Sequence, residues 1–232
     1  MNVLAIVPAT LRREGRETGI LSSIEEKPLL GHLLDRLSGV NKLEGLVVTT
    51  SDEPEDDAIR DYCATRGTIC QSGPRDDLLG RLLAALNAAG VKGGVMVDAG
   101  DVLIDLELVG KVVNLLQMTD GMLDWIGNTL APTYPRGMEV DGFTTAALAE
   151  SEKRCSEPAQ RRLGPAFLRQ NSRLYRPLSL AAPREFERPD LKLNLEGPED
   201  LPRIEAILRH FRDRPDFGLA DILRFLETQP SV

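Results

Sequence analysis

Short unbroken apolar runs alternate along this chain with longer stretches in which apolar positions recur every three or four residues. Val3 to Val7, Leu46 to Thr50, Thr68 to Cys70 and Val95 to Val97 have the length and composition of strands covered on both faces. Between them lie helical stripes. The first is Leu29, Leu30, Leu33, Leu34 and Leu37, with Pro28 opening it in the first turn, and the second is Leu78, Leu79, Leu82, Leu83 and Leu86. A third, Leu108, Val112, Leu115 and Leu116, follows Asp105 as its cap. Strand and helix in strict alternation predict a mainly parallel sheet with helices on both faces, a single three-layer α/β/α domain. The second half is less regular. Leu123 to Ile126, Met138 to Phe143 and Leu191 to Leu195 read as strands, and 145–153 and 201–211 as helices. Residues 154–175 have weak periodicity. The chain divides into an α/β domain over 1–212 and a linker with a closing helix over 213–232.

Composition narrows the function classes. The 232 residues carry a net charge of −8, which argues against a general nucleic-acid surface, so a polyanionic ligand needs a local basic pocket. Hydrophobic residues at 42% suffice for a large core, and aromatics at 4% leave it to Leu, Val, Ile and Ala. The three cysteines, Cys63, Cys70 and Cys155, form no C-x-x-C and read as reduced thiols. With no signal peptide and no membrane-length apolar run, a soluble cytoplasmic protein is expected.

The candidate chemistry gathers where strands end, which is where open α/β sheets place ligands. Ala99-Gly100 narrow the backbone so that Asp101 can sit beyond the central strand, either capping a turn or holding Mg²⁺ on a nucleotide's phosphates. Glu196 ends the late strand, and strand ends of a parallel sheet converge on one edge. After the first strand, residues 8–19 carry Arg12, Arg13 and Arg16 with Gly15 and Gly19, a phosphate cradle or a solvated loop. The loop lacks the Gly-Lys-Ser/Thr of a Walker A motif. The acids of 51–57 read mostly as helix capping, with Ala58, Ile59, Tyr62 and Cys63 facing the core. Asp98 is expected to pack or pair away from the site, His32 to be exposed, and Arg81 to point away from its helix's apolar face.

The order of these segments resembles the cytidylyltransferases of the spore-coat polysaccharide type, relatives of the enzymes that make CMP-activated acidic sugars. The resemblance is carried by Val7-Pro8-Ala9, by Lys27-Pro-Leu-Leu30, by Asp77-Leu-Leu-Gly-Arg81 and by Ala99-Gly-Asp-Val-Leu-Ile-Asp105. It continues through Asn128-Thr129, Thr133-Tyr-Pro-Arg-Gly-Met-Glu-Val140 and Leu195-Glu-Gly-Pro-Glu-Asp-Leu201. It implies a nucleotide-diphospho-sugar transferase-like fold and Mg²⁺-dependent transfer of CMP from CTP to a sugar. Asp101 and Glu196 would hold the metal, and Arg12, Arg13 and Arg16 the phosphates. Ala9, Thr10, Lys27, Asp77 and Arg81 would border the nucleotide, and Asn128, Tyr134 and Glu139 the acceptor. The 128–143 segment reads equally as the arm of a homodimer or as a lid. This chain departs from the family pattern in four places, one of them Glu196, which stands where the family has an aspartate. Thr10 replaces an arginine, Ile20 stands where a lysine would fall, and Gln160-Arg-Arg-Leu-Gly164 replaces a histidine-bearing segment. Those departures keep a non-catalytic binding role and nucleotide-sugar-dependent glycosyl transfer open as alternatives.

Overall fold

The computed structural model describes residues 1–13 and 15–229. Seven strands form its sheet: β1 (Val3–Pro8), β2 (Gly45–Ser51), β3 (Ile69–Gly73), β4 (Gly93–Met96), β5 (Trp125–Gly127), β6 (Asp141–Thr144) and β7 (Pro177–Ser179). Their order across the sheet is β7-β5-β6-β4-β1-β2-β3. The half that alternates cleanly in sequence, β4-β1-β2-β3, is all parallel. β6 runs antiparallel to both of its neighbours, and β7 joins β5 in parallel. The mainly parallel three-layer arrangement is therefore as expected.

The helices α1 (Leu29–Ser38), α2 (Asp57–Arg66), α3 (Leu78–Ala89), α4 (Leu106–Thr119) and α5 (Thr145–Arg154) form where the stripes predict them. Two short turns, α6 (Pro158–Arg161) and α7 (Ala166–Gln170), fill the weakly periodic stretch, and α8 (Leu201–His210) and α9 (Leu219–Thr228) close the chain. The sheet divides the core in two. On one side Leu30, Leu34, Val109, Val113 and Ile207 pack together. On the other, Leu79, Leu82, Leu86, Trp125, Phe143 and Leu168 do so. No described helix is long and apolar enough to cross a membrane.

Several local expectations need correction. Leu191 to Leu195 forms no strand, and its Lys192 makes an isolated bridge to Arg136, which lies outside the sheet. The three-residue β7, which no periodicity marks, takes the sheet edge instead. Ala58 is exposed, while Ile59 and Cys63 are buried as expected. His32 is half-buried, its Nε2 2.9 Å from the carbonyl of Ile24. Pro28 sits one place before α1, in a two-residue strand paired with Ser23–Ile24.

Candidate active site beyond the central strand

Four backbone hydrogen bonds build the site's floor. Past β4 the chain keeps pairing with β1, Ala99 N–H donating to the carbonyl of Pro8 at 3.0 Å. It then turns, with Asp101 N–H bonded to Asp98 O at 3.0 Å and Ile104 N–H to Asp101 O at 3.0 Å. Leu195 N–H donates to Gly100 O at 2.8 Å, so two segments far apart in the chain lie against one another. Gly100 is needed here, since a Cβ would come within 2.5 Å of the Leu195 carbonyl oxygen.

The loop after β1 is fixed at both ends. Ala9 is fully buried and its N–H bonds Thr49 O at 2.9 Å. Leu11 N–H donates to Oδ1 of Asp56 at 2.8 Å. Asp56, itself fully buried, also accepts from the Ser51 hydroxyl. Beyond Leu11 the chain rises as a hairpin in which Arg12 faces Glu17 and Arg13 faces Arg16. Thr10 bridges its base, its hydroxyl donating to Arg12 O and its carbonyl accepting from the Thr18 hydroxyl.

The acids converge around Arg13. Its guanidinium bonds Oδ2 of Asp98 at 2.7 Å, and Asp98 raises its pKa most, with Asp101 and Glu196 adding to the effect. Asp101 is buried, and burial drives its pKa well above the usual carboxylate range, with the nearby charges of Asp98 and Glu139 pushing the same way. Burial also raises Glu139, whose Oε2 accepts from Gly137 N–H at 2.6 Å. Desolvation and like-charge repulsion disfavour the ionised forms, opposed by Arg13 at Asp101 and by Arg136 at Glu139. Glu196 lies beside this cluster on its main chain, but its carboxylate pairs with Arg136 and with Lys192 (3.1 Å).

Next to the acids opens a cleft of about 440 Å³ with an arginine-rich lining: Arg12, Arg13, Arg75, Arg81 and Arg162, with Thr10 and Asp98. Arg81 is the most constrained. It points off its helix's leucine face, yet it is buried, its Nη1 curling back to the carbonyls of Pro74 and Arg75, both at 2.9 Å. Burial lowers its pKa, because a guanidinium without a full counter-charge is costly out of water.

The other candidates read from the sequence fall in different places. Arg16 stands exposed on the outer strand of the hairpin. Lys27 pairs with Asp35 at 2.6 Å beside a different cavity, one bordered by Phe211 and Phe217. Asp77 caps α3 through Gly80 N–H at 2.9 Å and holds Arg161 at 2.7 and 3.0 Å. Asn128 is buried and brackets the 128–140 loop, donating to Met138 O and accepting from Val140 N–H. Tyr134 is buried in the core, where burial raises its pKa. Ile20 is core filling as well, 2% exposed. Asp98, Asp56, Arg75 and Arg162 join the site without having been expected there. Asp98 does alternate with the buried Val97 and Ala99, where pairing with β1 continues, but the face it takes is the one on which the arginine-lined cleft opens.

Among the described residues no group of three or more acids, cysteines and histidines is gathered tightly enough to hold a metal by itself. Mg²⁺ asks for less, one or two carboxylates completed by phosphate oxygens and water. Asp101 could supply one such carboxylate, and the Glu196 main chain lies close by with its own carboxylate turned to Arg136 and Lys192.

No protein-family model matches the chain. The uncharacterized protein MJ1063 of Methanocaldococcus jannaschii is 24% identical over the whole chain and 93% of its own length. The spore coat polysaccharide biosynthesis protein SpsF of Bacillus subtilis is 22% identical over 82% of this chain and 77% of its own. Among solved structures, a cytidylyltransferase from Leptospira borgpetersenii superposes with a TM-score of 0.88 at 22% identity, covering 99% of this chain and 94% of its own. A CMP:2-keto-3-deoxy-manno-octonic acid synthetase complexed with CTP gives 0.64 at 13% identity, over 90% of this chain and 99% of that one. A Mycobacterium tuberculosis protein complexed with manganese gives 0.56 at 15% identity, over 89% and 99%. The chain therefore has the fold of the cytidylyltransferases, as its ordered motifs imply.

Proposed function

We propose that this protein is a nucleotidyltransferase that moves CMP from CTP onto a hydroxyl of a sugar, with a divalent cation, Mg²⁺, as cofactor. The observation that carries the reading is the juxtaposition of a buried acid, Asp101, with an arginine-lined cleft at the end of the central strand, in a protein of net charge −8. In the reaction the sugar oxygen bonds to the α-phosphorus, the bond from that phosphorus to the bridging oxygen of the β-phosphate breaks, and pyrophosphate leaves. No covalent intermediate on the protein is required, so the work is positioning and charge neutralisation.

Arg12 and Arg13 bind the phosphates, and Thr10 and the Arg81 turn border the nucleotide. Asp101 and Glu196 would hold the cation, which when bound withdraws charge from the phosphate oxygens. Glu139 faces the acceptor, and its raised pKa makes it a better acceptor for the hydroxyl proton than an ordinary carboxylate. Asn128 and Tyr134 shape the acceptor side by fixing the loop that carries Glu139.

The test is pyrophosphate release with Mg²⁺, a panel of nucleoside triphosphates and acidic sugars. Release with CTP, lost in Asp101→Asn, is expected. CTP binding without turnover would make the protein a binding module, and cleavage of a UDP-sugar with no response to CTP would make it a glycosyltransferase.

A further inference from the structure

Two neighbouring arginines in the segment after α5 have opposite fates. Arg161 is an anchor. Its guanidinium bonds both carboxylate oxygens of Asp77, the carboxylate of Glu152 at 2.9 Å, and the carbonyls of Glu152 and Cys155. Shortly afterwards the chain reverses at Gly164, φ +60°, where a Cβ would press on Leu78 and Leu82 of α3 at 3.1 Å. The segment 158–164 is thus bolted to the first turn of α3. Held there, it presents Arg162 to the arginine-lined cleft, from the side of α3 and not from the β1 loop.

The cleft's other cations are largely engaged. Arg13 is bound to Asp98 at 2.7 Å, Arg81 to two carbonyls, and Arg75 sits among Glu53, Glu55 and Asp56. Arg12 and Arg162 differ. Arg12 meets Glu17 at 3.8 Å with its side chain 51% exposed, and Arg162 meets Asp76 at 3.0 Å with both side chains 61% exposed. Exposed pairs of this kind contribute little and give way readily to a better-matched anion. A polyphosphate accepts bidentate bonds from guanidinium groups, and two loosely held arginines that line one cleft from different segments match its charge.

We infer that Arg162 is a substrate-binding residue that, with Arg12, clamps the polyphosphate end of the nucleotide. This rests on the reading of the cleft as a nucleoside triphosphate site. It assigns to the Gln160–Gly164 segment the neutralising charge that the buried Ile20 cannot supply.

The test measures binding of CTP, CMP and inorganic tripolyphosphate to the parent, to Arg162→Gln and to Arg12→Gln, with Arg154→Gln as a surface control. Arg162→Gln should weaken CTP and tripolyphosphate at least about tenfold, the scale of one charge-assisted bond. CMP affinity should change less than about twofold, and the salt dependence of CTP binding should become shallower. Arg162→Lys should restore part of the loss. Unchanged tripolyphosphate binding in Arg162→Gln overturns the inference, as does an equal loss for CMP. If tripolyphosphate binding depends on Arg162 but CTP is never turned over, the clamp stands and the transferase reading fails. If Arg162→Gln turns over CTP with the parent's KM, the transferase reading stands and the clamp fails.

Discussion

Oδ1 of Asp56 accepts the backbone N–H of Leu11 at 2.8 Å, tying the start of α2 to the loop that carries Arg12 and Arg13. The acid is fully buried and also bonds the Ser51 hydroxyl, with Arg75 3.6 Å away. It therefore sets the position of the arginine-bearing hairpin from below. Asp56→Ala leaves a buried N–H unpaired and should cost about 1–3 kcal/mol in urea unfolding. CTP affinity should fall further than that destabilisation explains, because the hairpin loses its footing. A variant with parent-like affinity under conditions where it is fully folded would show that the hairpin positions itself.

Asp101 has a pH signature with a definite sign. Burial raises its pKa first, and Asp98 and Glu139 raise it further. The native state then binds the proton more tightly than the unfolded chain does. Its stabilising contribution is complete below the ordinary aspartate range and is lost as pH rises through the elevated native value. Asp101→Asn carries no charge at any pH. It should match the parent near pH 4 and exceed it at pH 8 by about 1–3 kcal/mol, the scale of an uncompensated buried polar group. Denaturation midpoints across that range decide it, and parallel curves would mean Asp101 is not strained by its surroundings. Turnover should be lost in the same variant.

Gly100 separates the two candidate metal-binding acids by the thickness of one backbone contact. In Gly100→Ala the new methyl would meet the Leu195 carbonyl oxygen at 2.5 Å, and that oxygen belongs to main chain that cannot rotate away. Overpacking of this kind costs about 1–3 kcal/mol. Pyrophosphate release, assayed where the variant remains folded, should drop by a larger factor than any change in CTP affinity, since the acids are moved while the cleft is left intact.

Glu196 lies 38% exposed between Arg136 and Lys192. Its surface ion pairs predict a stability change within about 1 kcal/mol for Glu196→Gln. A role on the cation predicts a loss of the Mg²⁺-dependent part of CTP binding, with CTP binding in chelator unchanged. Calorimetric titration with and without Mg²⁺ separates the two. An identical Mg²⁺ response in variant and parent would remove Glu196 from the cation site.

Arg161 makes five hydrogen bonds of 2.7 to 3.1 Å, two to Asp77 at the start of α3 and three to Glu152 and Cys155 at the end of α5. Arg161→Ala leaves Asp77 with its cap to Gly80 but without its charged partner, and should cost about 1.5–3 kcal/mol. A double-mutant cycle with Asp77→Asn should show the two losses overlapping. Simple additivity would mean the pair contributes nothing as a pair.

The parallel half of this fold is readable in the sequence because its helices bury leucine stripes against strands that are apolar on both faces. Leu29, Leu33 and Leu37, or Leu79, Leu82 and Leu86, have no other use. The far edge is opaque for the opposite reason. Pro177–Ser179 is three residues long and carries a proline, and its place is set by Trp125 and Ile126 on the neighbouring strand. Leu191–Leu195 alternates like a strand but meets Arg136 and Gly100 through separate bonds, with no partner strand alongside. At the site, Asp101 and Arg13 are legible from strand-end placement. Asp56 is hidden in an acidic run that resembles ordinary capping, and Arg81 is hidden because helical spacing gives a residue's azimuth and not the course of a long side chain. Arg162 has no signal of its own, since its meaning depends on the anchoring of the residue before it.

The bond from Leu195 to Gly100 also has a meaning in time. During synthesis the parallel strands, the arginine hairpin and Asp101 are all available before the ribosome reaches residue 195. A chain of that length carries the arginines of the cleft, while Glu196 is still to be made. The neighbourhood that Asp101 and Glu196 share is thereby completed late in translation, when the returning segment docks against the glycine.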